Sequence, residues 1–210
     1  MTATLDAEDA NRLRDCVAGG GVAIFPTDTV YGLCCDADDE AAARRLYGLK
    51  GRLPLQPSAV MFFTFDAAVQ ALGELEDSER DALAALLPGP VTVLLENRSG
   101  RFAAACRSDP ATIGVRVPWL PVSLHALCAI DSPLMQSSAN VSGQPDARTL
   151  DAVPASLREG ADVVLDGGTL PGTPSTVVDL REYRSAGAWY VLREGPLAAE
   201  AVGELLAQAR

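Results

Sequence analysis

Val22-Ala23-Ile24-Phe25-Pro26-Thr27-Asp28-Thr29-Val30-Tyr31-Gly32 begins as a short apolar run and turns abruptly polar. Its first four residues predict a buried strand. Gly19-Gly20-Gly21 just before them stops a helix predicted over 7–18, whose Leu13 and Val17 share one face. The hydroxyls and acid that follow occupy a strand end, where open sheets place ligands. They also suit an Asx or Ser/Thr turn capping the next element. The density of side-chain donors favours the ligand reading.

The same motif recurs along the chain. Residues 59–65 read as a strand, followed by helices over 67–75 and 78–87. The second of these opens on a capping box of Ser78 and Asp81 and stops at Pro88-Gly89-Pro90. Residues 91–95 form another apolar strand. In 112–117 the alternation is clean: Ile113, Val115 and Val117 face one side, Thr112, Gly114 and Arg116 the other. Arg116 thus stands on a sheet face, suited to grip a carboxylate or phosphate in bidentate fashion or to sit solvated. Residues 122–130 read as helical. Leu134-Met135-Gln136 then runs into Ser137-Ser138-Ala139-Asn140, a second apolar-to-polar transition. A helix over 150–159, strands at 162–165, 175–180 and 189–192, and a final helix over 197–210 complete the chain. Strands and helices alternate without a long linker or internal repeat. One α/β domain with a mixed open sheet is expected, over 7–196, with the helix of 197–210 packed on it.

Leu46-Tyr47-Gly48-Leu49-Lys50-Gly51-Arg52 closes a helix capped by Asp38 or Asp39 and ends on two cations. Lys50 and Arg52 are expected outside the core, because an unpaired buried ammonium or guanidinium is too costly. In an extended segment their spacing turns both to one face, and Gly51 lets backbone approach whatever they hold. The pair reads as a clamp for an anion or as a solvated surface pair. The tripeptide alone does not decide between them.

The 210 residues carry 28 acids against 17 bases, a net charge of −11, which argues against a broad basic field for nucleic acid. Hydrophobic content of 48% and mean hydropathy of +0.12 describe a globular chain with no apolar run long enough for a bilayer. Residues 1–10 carry acids and no basic n-region, so a cytoplasmic location is expected. The five cysteines show no C-x-x-C spacing and read as reduced thiols. The single histidine, His125, lies in an apolar helical run and reads as a core residue, which disfavours His-based metal sites and Ser-His-Asp catalysis.

Neither a Walker loop nor a dinucleotide fingerprint is present. What recurs is a strand ending in hydroxyls, amides or cations: Thr27/Thr29, Lys50/Arg52, Thr112/Arg116, Ser138/Asn140, Ser175/Thr176 and Arg193. Acids are sparse in that set. It fits a polyanion together with a small polar molecule, and not glycoside hydrolysis or thiol chemistry.

In this order, Pro26-Thr27-Asp28-Thr29-Val30-Tyr31-Gly32-Leu33, Lys50-Gly51-Arg52, Gly89-Pro90-Val91-Thr92, Gly114-Val115-Arg116-Val117-Pro118, Ser138-Ala139-Asn140-Val141-Ser142-Gly143, Pro174-Ser175-Thr176-Val177-Val178-Asp179 and Arg193 before Gly195 resemble the YrdC/TsaC family. These are the threonylcarbamoyl-AMP synthases in their short, single-domain form. The resemblance implies an open twisted mixed sheet with flanking helices and a concave ligand-binding face. It implies a nucleotidyltransferase that joins L-threonine, bicarbonate and ATP, carrying Mg2+, into threonylcarbamoyl-AMP and pyrophosphate. The product would pass to the tRNA threonylcarbamoyl transferase machinery, with direct tRNA contact left open and no membrane partner. Lys50 and Arg52 would be catalytic. Lys50, Arg52, Thr112, Ser138, Asn140 and Arg193 would bind ATP, while Thr29, Arg116 and Ser175 would seat threonine. Three positions depart from the family pattern: Leu53 for a proline, Gln56-Pro57-Ser58 for polar-Pro-Leu, and Met61 for a histidine near the amino-acid site. The alternatives are a divergent paralogue acting on another carbamoyl or adenylyl substrate, and an RNA-binding module, against which the net charge counts.

Overall fold

The computed structural model describes residues 3–51, 57–73 and 75–209. Arg52, Leu53 and Gln56 lie outside the described residues.

Helix α1 (Ala7–Ala18) starts at Asp6, whose carboxylate accepts from the Glu8 and Asp9 amides at 2.9 and 3.1 Å, while Asp9 reaches back to the Asp6 amide. Ala10, Leu13 and Val17 form its buried stripe. Strand β1 (Ala23–Pro26) then turns through 27–30 into an antiparallel partner, β2 (Tyr31–Asp36), in register Pro26 with Tyr31. The sequence reading missed β2. Tyr-Gly-Leu-Cys-Cys-Asp lacks the β-branched alternation that marks a strand, yet it is buried on both faces. A Cβ on Gly32 would lie 2.9 Å from the Gln136 amide nitrogen and 3.1 Å from the Phe25 ring, so a side chain here would have to displace both groups.

Asp39 caps α2 (Glu40–Lys50) through the Ala41 and Ala42 amides at 2.7 and 3.0 Å. Gly51 closes the helix in the left-handed region (φ 59°), so Lys50 belongs to a helical turn and not to an extended segment. Strand β3 (Ala59–Met61) is shorter than expected, because Thr64 caps α3 (Phe65–Leu72). Helix α4 (Asp77–Leu86) takes its capping box from Glu76 and Glu79 instead of Ser78 and Asp81. There follow β4 (Val91–Glu96), the short α5 (Ala103–Cys106) and β5 (Thr112–Arg116). Residues Val122–Ala129 wind as a 3-10 helix before β6 (Leu134–Ser138). The helix expected over 150–159 splits at Pro154 into a 3-10 turn (Leu150–Ala152) and α6 (Ala155–Gly160). The chain ends through β7 (Val163–Val164), β8 (Thr176–Asp179), α7 (Tyr183–Ala186), β9 (Tyr190–Arg193) and α8 (Ala199–Gln208), whose Val202 and Leu206 enter the core.

Among the described residues nine strands form one mixed sheet in the order β7-β1-β2-β6-β3-β5-β4-β8-β9. Three pairs are parallel (β1/β7, β3/β5, β4/β8) and the other five antiparallel. This order, far from chain order, brings the polar strand ends of β6, β5 and β8 into one stretch of the sheet, with β3 and β4 between them. Among the described residues no helix is long and apolar enough to cross a membrane.

Candidate active site

Lys50 is buried, 3% exposed, contrary to the expectation that it stays out of the core. The cost of burial is met by hydrogen bonds. Its ammonium donates to Ser138 O at 2.5 Å, Ser137 Oγ at 3.0 Å and Asn140 Oδ1 at 3.1 Å. Asn140 is itself fixed, accepting from Ser138 Oγ at 2.7 Å and donating to Gln144 O. Helical spacing carries the reason: Ala43, Leu46, Tyr47 and Lys50 lie on one stripe of α2, and all are buried.

The turn after β1 is a Ser/Thr turn and also part of the site. Thr27 Oγ1 donates to Val30 O at 2.7 Å and accepts from the Thr29 and Val30 amides. Arg116 Nη2 donates to Asp28 Oδ1 and, at 2.5 Å, to Thr29 Oγ1, while Asp28 Oδ2 accepts from the Trp119 amide at 3.0 Å. The Arg116 and Asp28 side chains are 3% and 5% exposed. Burial pushes the Asp28 carboxyl above its ordinary range against the pull of Arg116. Burial likewise draws Arg116 down, with Asp28 opposing and the like charge of Arg193 adding. A ligand anion between Arg116 and Arg193 would therefore be favoured.

Ser175 Oγ lies 2.8 Å from Thr92 Oγ1, and Arg193 grips Ser175 O through Nε and Nη2 at 3.1 and 2.8 Å. Thr112 Oγ1 accepts from Arg181 Nη1 at 3.1 Å. Asp179 holds Arg181 by a fork of 2.9 and 2.6 Å, which keeps its own carboxyl below the ordinary range.

These groups converge. Lys50, Thr112, Arg116, Ser138, Asn140, Ser175 and Arg193 all line one cavity of about 430 Å³, within the size range of small-molecule sites. Thr29 stands apart from this set: its side chain is fully buried, accepts from Arg116 and does not line the cavity. Arg52 lies outside the described residues. The sequence reading missed Arg181, Thr92 and Gln136, which also line the cavity. Strand alternation around Thr92 and the Asp-x-Arg spacing of Asp179 and Arg181 were the available signals. Acids are less sparse than expected, because Asp109 and Asp146 line the same wall. Met61 is fully buried, in register between Leu134 and Arg116, and does not line the cavity.

His125 is exposed, not a core residue, and its Nε2 donates to Leu120 O at 2.9 Å. Among the described residues no cluster of three or more His, Cys, Asp or Glu side chains could hold a metal. The five cysteines are free thiols, and burial pushes Cys35 up to about 12.

The sequence matches the Sua5/YciO/YrdC family, described as "Telomere recombination", over residues 15–195. It is 36% identical over 179 residues to the threonylcarbamoyl-AMP synthase of Chromohalobacter salexigens, covering 83% of this chain and 95% of that protein. It is 34% identical to the threonylcarbamoyl-AMP synthase of Pseudomonas aeruginosa, covering 86% and 95% respectively. The structure of P. abyssi Sua5 complexed with L-threonine superposes with a TM-score of 0.84 at 26% identity. That match covers 96% of this chain and 58% of the P. abyssi chain. The family match takes in the whole cavity wall from the β1 turn to Arg193, and on that extent the chain belongs to the Sua5/YciO/YrdC family.

Proposed function

We propose that this protein is a threonylcarbamoyl-AMP synthase, a nucleotidyltransferase that forms threonylcarbamoyl-AMP and pyrophosphate from L-threonine, bicarbonate and ATP. The observation that carries this reading is the convergence of Lys50, Arg116 and Arg193 on one hydroxyl-lined cavity in a chain of net charge −11. The threonine amine takes up the bicarbonate carbon with loss of water, giving a carbamate. A carbamate oxygen then attacks the ATP α-phosphorus as pyrophosphate leaves. The nucleophile is already anionic, so the protein has to align reactants and offset charge more than move protons.

In this reading Lys50 and Arg193, with Arg52, neutralise the triphosphate, whose oxygens carry the Mg2+. Ser138, Asn140 and Thr112 hydrogen-bond phosphate or ribose. Arg116 pairs with the threonine carboxylate, and Ser175 helps to seat the amino acid. The product would pass to the tRNA threonylcarbamoyl transferase machinery, and a cytoplasmic location goes with that hand-over. The test is pyrophosphate release from ATP. Release should require both L-threonine and bicarbonate and should fall when serine replaces threonine. Release indifferent to threonine would favour a different carbamoyl or adenylyl substrate.

A further inference from the structure

Asp28 is not a cavity-lining residue, yet both of its oxygens are committed. Oδ1 accepts from Arg116 Nη2 and Oδ2 from the Trp119 amide at 3.0 Å. Nη2 carries every hydrogen bond that Arg116 makes among the described residues, to Asp28, Thr29 and, at 3.5 Å, Thr27. Nε is sealed from solvent and has no partner there. A guanidinium free to choose its pose would not leave a buried N–H unsatisfied. Something holds it, and the groups in place to do so are Asp28 and the two threonine hydroxyls. Arg116 lines the cavity, so the donors left for a ligand are those of Nη1.

We propose that Asp28 is a positioning residue: it anchors Nη2 so that Arg116 presents its remaining donors to the carboxylate of the amino-acid substrate. This rests on the reading of Arg116 given above. Asp28 also supplies the negative charge that lets Arg116 sit beside Arg193 before any ligand arrives. Thr29 then serves the amino acid through Arg116 and not by touching it.

The test compares wild type with Asp28→Asn, which keeps the shape and removes the charge. The threonine KM should rise about ten- to a hundredfold, the scale of a misplaced binding group, with the ATP KM moving less than about twofold. Independently of activity, the Arg116 Nε–H resonance, assigned by its loss in Arg116→Lys, should shift or broaden in Asp28→Asn. A folded Asp28→Asn with unchanged threonine KM and unchanged resonance overturns the proposal, as does an equal rise in both KM values. If wild type releases no pyrophosphate with threonine, the functional reading has failed, and the resonance alone decides for or against Asp28. If Asp28→Asn does not fold, Thr29→Val removes another anchor of the same Nη2 and is judged by the same criteria.

Discussion

Two arginine–aspartate pairs in this molecule use the same chemistry for different ends. Arg116–Asp28 ties β5 to the β1–β2 turn beneath the cavity, with side chains 3% and 5% exposed. Arg45–Asp162 ties α2 to the segment entering β7, with both side chains 43% exposed and contacts of 2.5 and 2.9 Å. Asp162 also accepts from the Val22 amide at 2.8 Å and so holds the start of β1. Water surrounds the outer pair, and its attraction is screened. The inner pair has lost its water and is held by its opposite charges together with the Thr29 hydroxyl and the Trp119 amide. Burial thus turns an ordinary clasp into a device that fixes where a cation points.

The strongest way to break this contrast is Arg116→Met, which leaves Asp28 buried without its cation. The expected loss of stability is about 3–5 kcal/mol by denaturant unfolding. Pairing it with Asp28→Leu should return much of that loss. A single-variant cost below about 1 kcal/mol would place the inner pair with the outer one.

Lys50 extends the comparison to a buried cation held by hydroxyl, amide and carbonyl oxygens. Lys50→Ala should lower pyrophosphate release by about 10²–10³-fold, judged from other donors acting on a transition state. Circular dichroism should show the fold intact. Full activity in that variant would remove Lys50 from the chemistry.

Asp162→Ala should cost about 1 kcal/mol or less, because an exposed pair and one backbone acceptor are lost. The smallest effects are the pH signatures, which have opposite signs. Hydrogen bonds from Arg45 and the Val22 amide hold the Asp162 carboxyl below its ordinary value. Its stabilisation is therefore present above about pH 4 and is lost as pH falls through the lowered value. The Asp28 carboxyl is raised by burial. The folded state then holds the proton more tightly, and this group's contribution declines as pH climbs from about 4 through the raised value. Stability against pH should flatten on the acid side in Asp162→Asn and above about pH 4 in Asp28→Asn.

Much of the site was legible because its residues end strands. Alternation in 112–117 placed Thr112, Gly114 and Arg116 on one face, and that face lines the cavity. The apolar-to-polar turn at 134–140 likewise located Ser138 and Asn140. Burial was harder to read. Lys50 looked like a surface cation because its acceptors, Ser137, Ser138 and Asn140, lie about ninety residues away and become neighbours only through α2 packing on the sheet. Nothing local reveals that Arg116 takes the Thr29 hydroxyl. Strand β2 went unseen because cysteines and a glycine replace the usual β-branched residues.

By itself the amino-acid order determined most of the succession of strands and helices, a helix start at Ala7 and another at Asp38 or Asp39, and which residue types stand at strand ends, all matters of local backbone geometry and hydrophobic period. Only the tertiary structure decided which strand ends meet, since β6, β3, β5, β4 and β8 are neighbours in an order that no local pattern encodes. It alone decided which charges are desolvated and which carboxylate or oxygen answers each. Those energies depend on groups far apart in the chain and on the water that packing removes.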